Sequence, residues 1–235
     1  MNPGRIKTAV VLAGGEGLRL RPLTDERPKA MIIAAGKPLL EWILGWLGRN
    51  GVDRVVIGVA HKKEKIIDYF GDGDRFGVTI DYSIHTVEGG TSEGFRLAIQ
   101  RHIADDTFLA MNGDELTDVN VSDLADFHQS NGGIATIAVG PLRSPYGLVE
   151  LEGKDVVSFR EKPVLRSHYV SIGTYVFSRS ILDYLPERGD IERTTFPSLA
   201  SMRKLKAYVH NGFWATVNTV KDLEDVEDQL RQGMK

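Results

Sequence analysis

Residues 8–29 of the chain read TAVVLAGGEGLRLRPLTDERPK, an apolar run followed by a loop rich in glycine and basic residues. The run at residues 8–12 predicts a strand that is buried on both faces. Gly14, Gly15 and Gly17 follow it, and glycine allows a tight turn whose N–H groups face an anion. Three glycines alone more often form a flexible turn, so their meaning depends on the residues around them.

The charged residues of the same loop favour an anion site. Arg19 and Lys29 bring cationic side chains to it, and backbone amides and guanidinium groups can bind phosphate together. Pro22 and Pro28 disfavour direct entry into a long helix, so the chain is expected to stay irregular here. The strand, the glycines and the cations together predict a loop that binds a polyphosphate.

The composition is that of an ordinary globular protein. Of 235 residues, 42% are apolar and 26% are charged, which is enough for one sizeable core. The formal net charge of −3 gives no reason to expect nucleic acid as a partner. Cysteine is absent, and residues 1–5 lack the apolar run of a signal peptide. We therefore expect a cytoplasmic protein with no membrane partner; a homo-oligomer is compatible with the sequence.

Strand and helix signals alternate through the first half of the chain. Such alternation is typical of a parallel sheet with helices on both faces. The predicted strands are residues 8–12, 54–60, 78–84 and 107–111, and the predicted helices are residues 38–47, 62–70 and 91–102.

After about Gly140 the segments become shorter, which predicts an antiparallel part. Pro197 is expected to interrupt a helix at residues 190–202, and Thr219 with Asp222 predicts the capping box of a last helix. The strands predicted here are residues 148–151, 156–160, 169–177, 206–209 and 213–217. The fold prediction is one α/β domain over residues 1–235, a mixed, mainly parallel sheet flanked by helices, with parts at about 1–140 and 141–235.

Two further groups of polar residues are candidates for chemistry. Asp114 follows the predicted strand at residues 107–111, where open α/β sheets place their ligands, and its carboxylate could hold Mg²⁺ against phosphates. Glu161 and Lys162 end a later strand and could bind a sugar hydroxyl and a phosphate, or be solvated surface charges. No histidine pair has the helical spacing of a zinc site, and no serine lies in a G-x-S-x-G elbow.

A series of segments closely resembles the signature of the nucleoside-diphosphate-sugar pyrophosphorylases, the sugar-1-phosphate nucleotidyltransferases. The N-terminal signature is the most specific part, and the likeness spans nearly the whole chain in the family's order. The segments are Gly14-Gly15-Glu16-Gly17-Leu18-Arg19-Leu20, Pro22-Leu23-Thr24, Pro28-Lys29, Lys37-Pro38, Gly90-Thr91, Gly113-Asp114, Tyr146-Gly147, Glu161-Lys162-Pro163, Gly173 and Gly212-Phe213-Trp214.

The resemblance implies a Rossmann-like nucleotide-diphospho-sugar transferase fold. It also implies a Mg²⁺-dependent reaction in which a sugar 1-phosphate and an NTP give an NDP-sugar and pyrophosphate. The first part of the chain would bind the NTP and the second the sugar phosphate. The implied catalytic residues are Arg19, Lys29 and Asp114, and the metal ligands are Asp114 and Asn218. The implied nucleotide-binding residues are Leu12, Ala13, Gly14, Gly15, Gly17, His85, Gly90 and Thr91, and the sugar-phosphate residues are Tyr146, Gly147, Glu161, Lys162 and Gly173.

Three positions depart from the family pattern. Leu18 replaces a usual Thr or Ser. Asn218 lies near the position of a usual metal-binding Asp. The change from Asp to Asn would weaken the cation site, because an amide carries no formal charge. His85 stands where relatives use Gln or Glu. It would either read the nucleobase or point to solvent and leave base recognition to backbone groups near Gly90.

Two other functions compete with the transferase. A dinucleotide-dependent oxidoreductase is disfavoured, because Leu20 replaces the last glycine of G-x-G-x-x-G and Pro22 blocks the expected helix. A non-catalytic regulator of the same fold, binding nucleotide or sugar nucleotide, gains support from Leu18 and Asn218. The retained Arg19, Lys29 and Asp114 count against it. The sequence names neither the base nor the sugar.

Overall fold

The computed structural model describes residues 5–231. The two ends of the predicted domain, residues 1–4 and 232–235, lie outside the described residues. So does most of the segment at residues 1–5 for which no signal peptide was predicted. The strands are β1 (Thr8–Leu12), β2 (Ile33–Ala34), β3 (Lys37–Pro38), β4 (Arg54–Val59), β5 (Thr79–Ile84), β6 (Thr107–Asn112), β7 (Glu115–Thr117), β8 (Ala135–Arg143), β9 (Leu148–Glu152), β10 (Asp155–Arg160), β11 (Val164–Ser178), β12 (Leu205–Val209) and β13 (Trp214–Thr216). The α-helices are α1 (Leu39–Arg49), α2 (Lys63–Phe70), α3 (Gly90–His102), α4 (Val121–Asn131), α5 (Thr195–Ser201) and α6 (Val220–Arg231).

The centre of the fold is a seven-stranded sheet with the order β12-β8-β11-β6-β1-β4-β5. Strand β11 runs antiparallel to both neighbours, β6 and β8, while the other pairs of the described sheet are parallel. The predicted mixed, mainly parallel sheet is therefore confirmed. Strands β9 and β10 form a separate antiparallel hairpin, and β7 pairs with β13 and β2 with β3.

Helices cover both faces of this sheet, as the alternation predicted. Successive side chains of a strand point to opposite faces, so on β1 Ala9 and Val11 pack in one apolar cluster and Val10 packs in another. The first cluster includes side chains of α1, α2, α4 and α6, and the second includes side chains of α3 and α5. No helix in residues 5–231 is long and apolar enough to cross a membrane.

Three elements between residues 115 and 143 were not predicted: the short strand β7, helix α4 and strand β8. Helix α4 begins at its cap Asn120, whose side-chain oxygen accepts hydrogen bonds from the amides of Ser122 (2.9 Å) and Asp123 (3.2 Å). The helix that follows is mostly polar, so its periodic signal is weak. Strand β8 contains Gly140 and Pro141, residues that weaken a strand prediction.

The predicted helix at residues 190–202 is shorter than expected. Helix α5 covers Thr195–Ser201, and Pro197 lies in its first turn. Amides of the first turn have no partner within the helix, so proline fits there and does not interrupt it. The capping box before α6 is confirmed, since the Thr219 amide donates to Asp222 Oδ2 at 2.8 Å and the Asp222 amide donates to Thr219 Oγ1 at 3.2 Å.

The register of the parallel strands brings four strand ends together. Leu12 pairs with Gly58 on one side and with Asn112 on the other, and Val59 pairs with Ile84. The carboxyl ends of β1, β4, β5 and β6 therefore meet at one edge of the sheet. Ligands of open α/β sheets bind at this edge.

Candidate active site

A cleft of about 280 Å³ opens at the carboxyl edge of the sheet. It joins residues that are far apart in the sequence, from the loop after β1, the end of β5, the start of α3 and the end of β6. Most of the predicted nucleotide-binding and catalytic residues meet there. The lining residues are Leu12, Ala13, Gly14, Gly15, Lys29, Ala30, His85, Val87, Gly90, Thr91, Asn112, Gly113, Asp114 and Asp190.

The glycines of the loop have different roles. A Cβ at Gly14 would lie 2.7 Å from the His85 ring, so this glycine makes room for the imidazole. A Cβ at Gly15 would meet no atom within 4 Å, and the exposed backbone at that position is open to a ligand. Gly17 has φ +67° and accepts hydrogen bonds from Leu20 and Thr24, so it shapes the turn without lining the cleft.

Two cationic side chains converge on one amide and one carboxylate beside the cleft. Lys29 Nζ forms an ion pair with Asp114 and donates to Asn218 Oδ1 at 2.8 Å. Arg19 donates to the same Asn218 oxygen at 3.0 Å. The Lys29 side chain is 13% exposed and that of Asp114 25%. The Lys29–Asp114 pair is therefore partly shielded from water and interacts more strongly than a fully exposed pair does, whereas Arg19 is exposed.

The donor set fits Mg²⁺. Oxygens of Asp114 and Asn218 already converge on one cation, the Lys29 ammonium. Both are hard oxygen donors, the type that magnesium prefers. Within residues 5–231 no group of three or more His, Cys, Asp or Glu side chains could hold a metal ion. One carboxylate with an amide oxygen suits an ion that takes few protein ligands and fills its shell with phosphate and water.

A buried acid next to Asp114 was not singled out in the sequence. Burial and the neighbouring Asp114 carboxylate raise the pKa of Glu115 to about 8, against the opposing effects of Lys29 and Thr216. Its Oε2 has no hydrogen-bond partner among the described residues. Gly173, at φ +66°, leaves room for this side chain, since a Cβ there would lie 2.4 Å from Glu115 Cγ. The acidic type of Glu115 was visible in the sequence, but its burial was not.

His85 is packed against the chain on both sides of its ring. Nδ1 lies 2.9 Å from the Thr86 carbonyl oxygen, which can only accept, so Nδ1 carries the proton in this contact. Nε2 is buried without a partner in the described part of the chain. Gly58 and Gly94 lie on the same side, with Cβ positions 3.7 and 3.4 Å from Nε2. The ring lines the cleft but directs neither nitrogen freely into it.

The far end of the cleft depends on a contact between distant loops. The Gly189 amide donates to the Gly89 oxygen at 2.9 Å, and the Ser92 amide donates to the Gly189 oxygen at 2.8 Å. Asp190 thereby joins the lining beside Gly90. Asp190 was missed because nothing in the sequence indicates that its loop pairs with the start of α3, about 100 residues earlier.

The predicted sugar-phosphate residues lie apart from this cleft, whose described lining contains none of them. Glu161 and Lys162 follow β10, both exposed, with Lys162 Nζ 4.0 Å from Glu161 Oε1. A Cβ at Gly147 would lie 3.0 Å from Glu161 Oε2, so these two positions are neighbours. Tyr146 is 75% exposed. Gly173 lies instead on β11, against Glu115.

Comparisons with known proteins identify the family of the chain. Residues 8–233 match the family model described as nucleotidyl transferase. The chain is 34% identical over 234 residues to a mannose-1-phosphate guanylyltransferase of Mycobacterium tuberculosis, covering 96% of this chain and 65% of the relative. It is also 34% identical to a UTP–glucose-1-phosphate uridylyltransferase of Synechocystis, covering 91% of this chain and 61% of the relative.

The chain thus spans less than two thirds of the length of these two relatives. Among solved structures, HddC from Yersinia pseudotuberculosis aligns with a TM-score of 0.76 at 23% identity, over 96% of this chain and all of that chain. This structural likeness supports the fold alone. The family match and the two relatives together show that the chain belongs to the nucleotidyl transferase family, the nucleoside-diphosphate-sugar pyrophosphorylases that its N-terminal loop resembles.

Proposed function

We propose that the protein transfers a nucleotidyl group from an NTP to a sugar 1-phosphate and releases pyrophosphate. The observation that carries the proposal is the cluster of Arg19, Lys29, Asp114 and Asn218 beside a glycine loop at the carboxyl edge of the sheet. The named relatives support it, since one is a guanylyltransferase and the other a uridylyltransferase of a hexose 1-phosphate.

The reaction demands little acid–base chemistry from the protein. A phosphate monoester has its second pKa near ~6, so the sugar 1-phosphate is already an anionic nucleophile at neutral pH. One of its oxygens attacks the α-phosphorus of the NTP, and the bond to the bridging oxygen of pyrophosphate breaks. Catalysis therefore consists of aligning two anions and stabilising the charge on the attacked phosphorus.

The residues of the cleft suit those tasks. Backbone groups of Gly14 and Gly15 would hold the triphosphate, with Arg19 beside it. Lys29 pairs with Asp114 and Asn218 in the nucleotide-free protein, and its ammonium would move to the α-phosphate. Asp114 and Asn218 would hold Mg²⁺, which when bound neutralises phosphate charge and fixes the phosphates for in-line attack.

The proposal assigns the NTP to the part of the chain up to about residue 140 and the sugar phosphate to the rest. Tyr146, Gly147, Glu161, Lys162 and Gly173 are the proposed sugar-phosphate residues. Gly173 packs against Glu115, the neighbour of Asp114, so the sugar phosphate would bind between Asp114 and the β9–β10 hairpin. The proposed setting is cytoplasmic, without nucleic-acid or membrane partners.

A pyrophosphate-release assay tests the function and finds the substrates. Each of GTP, CTP, UTP, dTTP and ATP is mixed with Mg²⁺ and each of the 1-phosphates of mannose, heptose, glucose and an amino sugar. We expect pyrophosphate to be released only when both substrates are present. The Asp114→Asn variant should not release it. If calorimetry shows that nucleotide binds but no substrate pair releases pyrophosphate, the result would favour the non-catalytic regulator. Leu18 and Asn218 are the residues that support that alternative.

A further inference from the structure

The cleft contains a second carboxylate that the proposed phosphate transfer does not use. Asp190 belongs to the cleft lining, together with Gly90 and Thr91 at the start of α3. Its Oδ1 lies 2.9 Å from the position that a Cβ of Gly90 would occupy. The carboxylate therefore stands directly beside the backbone where α3 begins.

Hydrogen bonds on both sides fix the position of Asp190. The amide of the preceding Gly189 donates to the Gly89 oxygen at 2.9 Å. The amide of the following Ile191 donates to Thr91 Oγ1 at 2.9 Å. Because the residue is held at the start of α3, a ligand can use its carboxylate without first ordering the loop that carries it.

The carboxylate keeps capacity to accept further hydrogen bonds. Within residues 5–231 it forms an ion pair with Arg193, but Oδ2 and Nε are 3.9 Å apart. The Asp190 side chain is 50% exposed and that of Arg193 85%, and such exposed pairs are weak. A carboxylate accepts hydrogen bonds through both oxygens and donates none. A ligand that binds it must therefore offer N–H or O–H groups.

The charges of the cleft indicate which part of an NTP would face Asp190. The cations Arg19 and Lys29 come from the loop after β1 and converge beside Asp114, whereas Asp190 stands at the start of α3. A triphosphate is attracted to those cations and repelled by a free carboxylate. The nucleotide would thus bind with its phosphates at Lys29 and its nucleoside at Asp190.

We propose that Asp190 recognises the nucleoside of the NTP by accepting hydrogen bonds from it. The inference rests on the NTP site of the proposed function and adds a residue that selects among nucleotides. Two parts of a nucleoside carry suitable donors, the N–H groups of the base and the hydroxyls of the ribose. Guanine offers two adjacent N–H groups to the two carboxylate oxygens, whereas the ring N–H of uracil lies between two carbonyl oxygens. If the base is the donor, GTP should therefore be preferred over UTP.

Calorimetric titration with nucleotide and Mg²⁺, without sugar 1-phosphate, measures this recognition without turnover. The titrants are GTP, ATP, CTP and UTP, and the 2′-deoxy and 3′-deoxy forms of the nucleotide that binds most tightly. Asp190→Asn exchanges one acceptor oxygen for an amino group, and Asp190→Ala removes both oxygens. The matched control is Glu192→Gln. This acid of the same loop accepts from Thr91 Oγ1 at 3.2 Å and is not part of the described cleft lining.

Both Asp190 variants should lower nucleotide selectivity, measured as a ratio of Kd values, by at least about 10-fold, the usual weight of a hydrogen bond to a charged group. A lost preference among the four bases identifies the base as the donor. A lost preference for the ribose over its deoxy forms identifies a hydroxyl. Glu192→Gln should keep the wild-type ratios, and thermal melts show which variants are folded.

The outcomes separate this inference from the proposed function. No nucleotide binding by the wild type, unchanged ratios in both folded Asp190 variants, or the same change of ratios in Glu192→Gln would each overturn the role of Asp190. Pyrophosphate release with unchanged ratios would leave the proposed function standing without this role. Shifted ratios in a protein that releases no pyrophosphate would support the role of Asp190 and refute the transferase.

Discussion

At the scale of single residues, the two proposed catalytic cations are already hydrogen-bonded to each other's neighbours in the nucleotide-free protein. Lys29 is held by Asp114 and Asn218, and Arg19 by Asn218. The cluster is therefore assembled before substrate binds, and in the proposed mechanism the Lys29 ammonium leaves Asp114 and Asn218 for the α-phosphate when the nucleotide binds. Asn218 is the shared acceptor, so its amide organises both cations, a role that the sequence did not indicate.

The two cations should be needed for turnover. Arg19→Ala and Lys29→Ala should each lower kcat by about 10²–10³, the usual cost of removing a well-placed donor to developing charge. The matched control is Arg21→Ala, a cation of the same loop that pairs with Asp25 at 3.5 Å and lies outside the cluster. Steady-state kinetics with thermal melts separate catalysis from folding; wild-type kcat in both folded variants would refute the roles.

The carboxylate should dominate cation binding. Asp114→Asn should abolish most activity even at raised Mg²⁺, and Asn218→Asp should lower the Mg²⁺ needed for half-maximal rate, because a formal charge replaces an amide dipole. Titration with Mn²⁺, followed by its electron paramagnetic resonance, gives the affinity without turnover. Asp118→Asn, which contacts His210 elsewhere, is the control. Equal affinity in all three variants would place the cation at other residues.

At the scale of elements, the end of β5 and the loop after β1 form one packed unit. The His85 ring fills the space that Gly14, Gly58 and Gly94 leave open. With Nδ1 bound to Thr86 and Nε2 buried, the imidazole packs against the glycine loop at Gly14. We propose this packing role as a third possibility beside the two considered for the sequence, reading the base or pointing to solvent.

His85→Gln should therefore act on all nucleotides alike. We expect KM to rise for GTP, CTP, UTP, dTTP and ATP by similar factors, since the loop loses packing and the base loses no hydrogen bond. The measurement is kcat/KM for the five nucleotides in both proteins. A changed order of preference, such as a shift toward UTP or dTTP, would show that the side chain reads the base after all.

Helix α4 carries a titratable side chain, His128, that packs against strands β8 and β11 of the sheet. His128 lies within hydrogen-bonding distance of Thr136 on β8 (2.8 Å) and Ser178 on β11 (3.0 Å), and burial lowers its pKa. The unfolded chain binds a proton near pH ~6.5, but the folded chain does so only at lower pH. The stability that neutral His128 provides is thus present above pH ~6.5 and lost as pH falls through the lowered pKa.

Unfolding by urea at pH 8, 6.5 and 5 checks this contribution. The free energy of unfolding of the wild type should fall more steeply below pH ~6.5 than that of His128→Gln. His102→Gln, on α3 and outside this network, should keep the wild-type slope. Parallel curves for wild type and His128→Gln would show that His128 does not couple stability to pH.

At the scale of the whole molecule, local patterns predicted the sheet and the nucleotide side of the cleft. Parallel strands bring their carboxyl ends together, so Leu12, His85 and Asp114 could be placed at one edge once a parallel sheet was predicted. Asp190 and the buried state of Glu115 depend on contacts between distant segments, which periodicity does not encode. Helix α4 was missed because its polar sequence has little apolar signal, and Pro197 was misjudged because the start of α5 depends on tertiary packing.

The fate of the NTP phosphates tests the central proposal most directly. With the best substrate pair and Mg²⁺, NTP labelled at the α-phosphorus should deliver its label to the NDP-sugar. NTP labelled at the γ-phosphorus should deliver it to pyrophosphate, in equal amount and with dependence on the sugar 1-phosphate. Asp114→Asn serves as the background. Release of the γ label as orthophosphate, or no α label in a sugar product with any pair, would contradict nucleotidyl transfer.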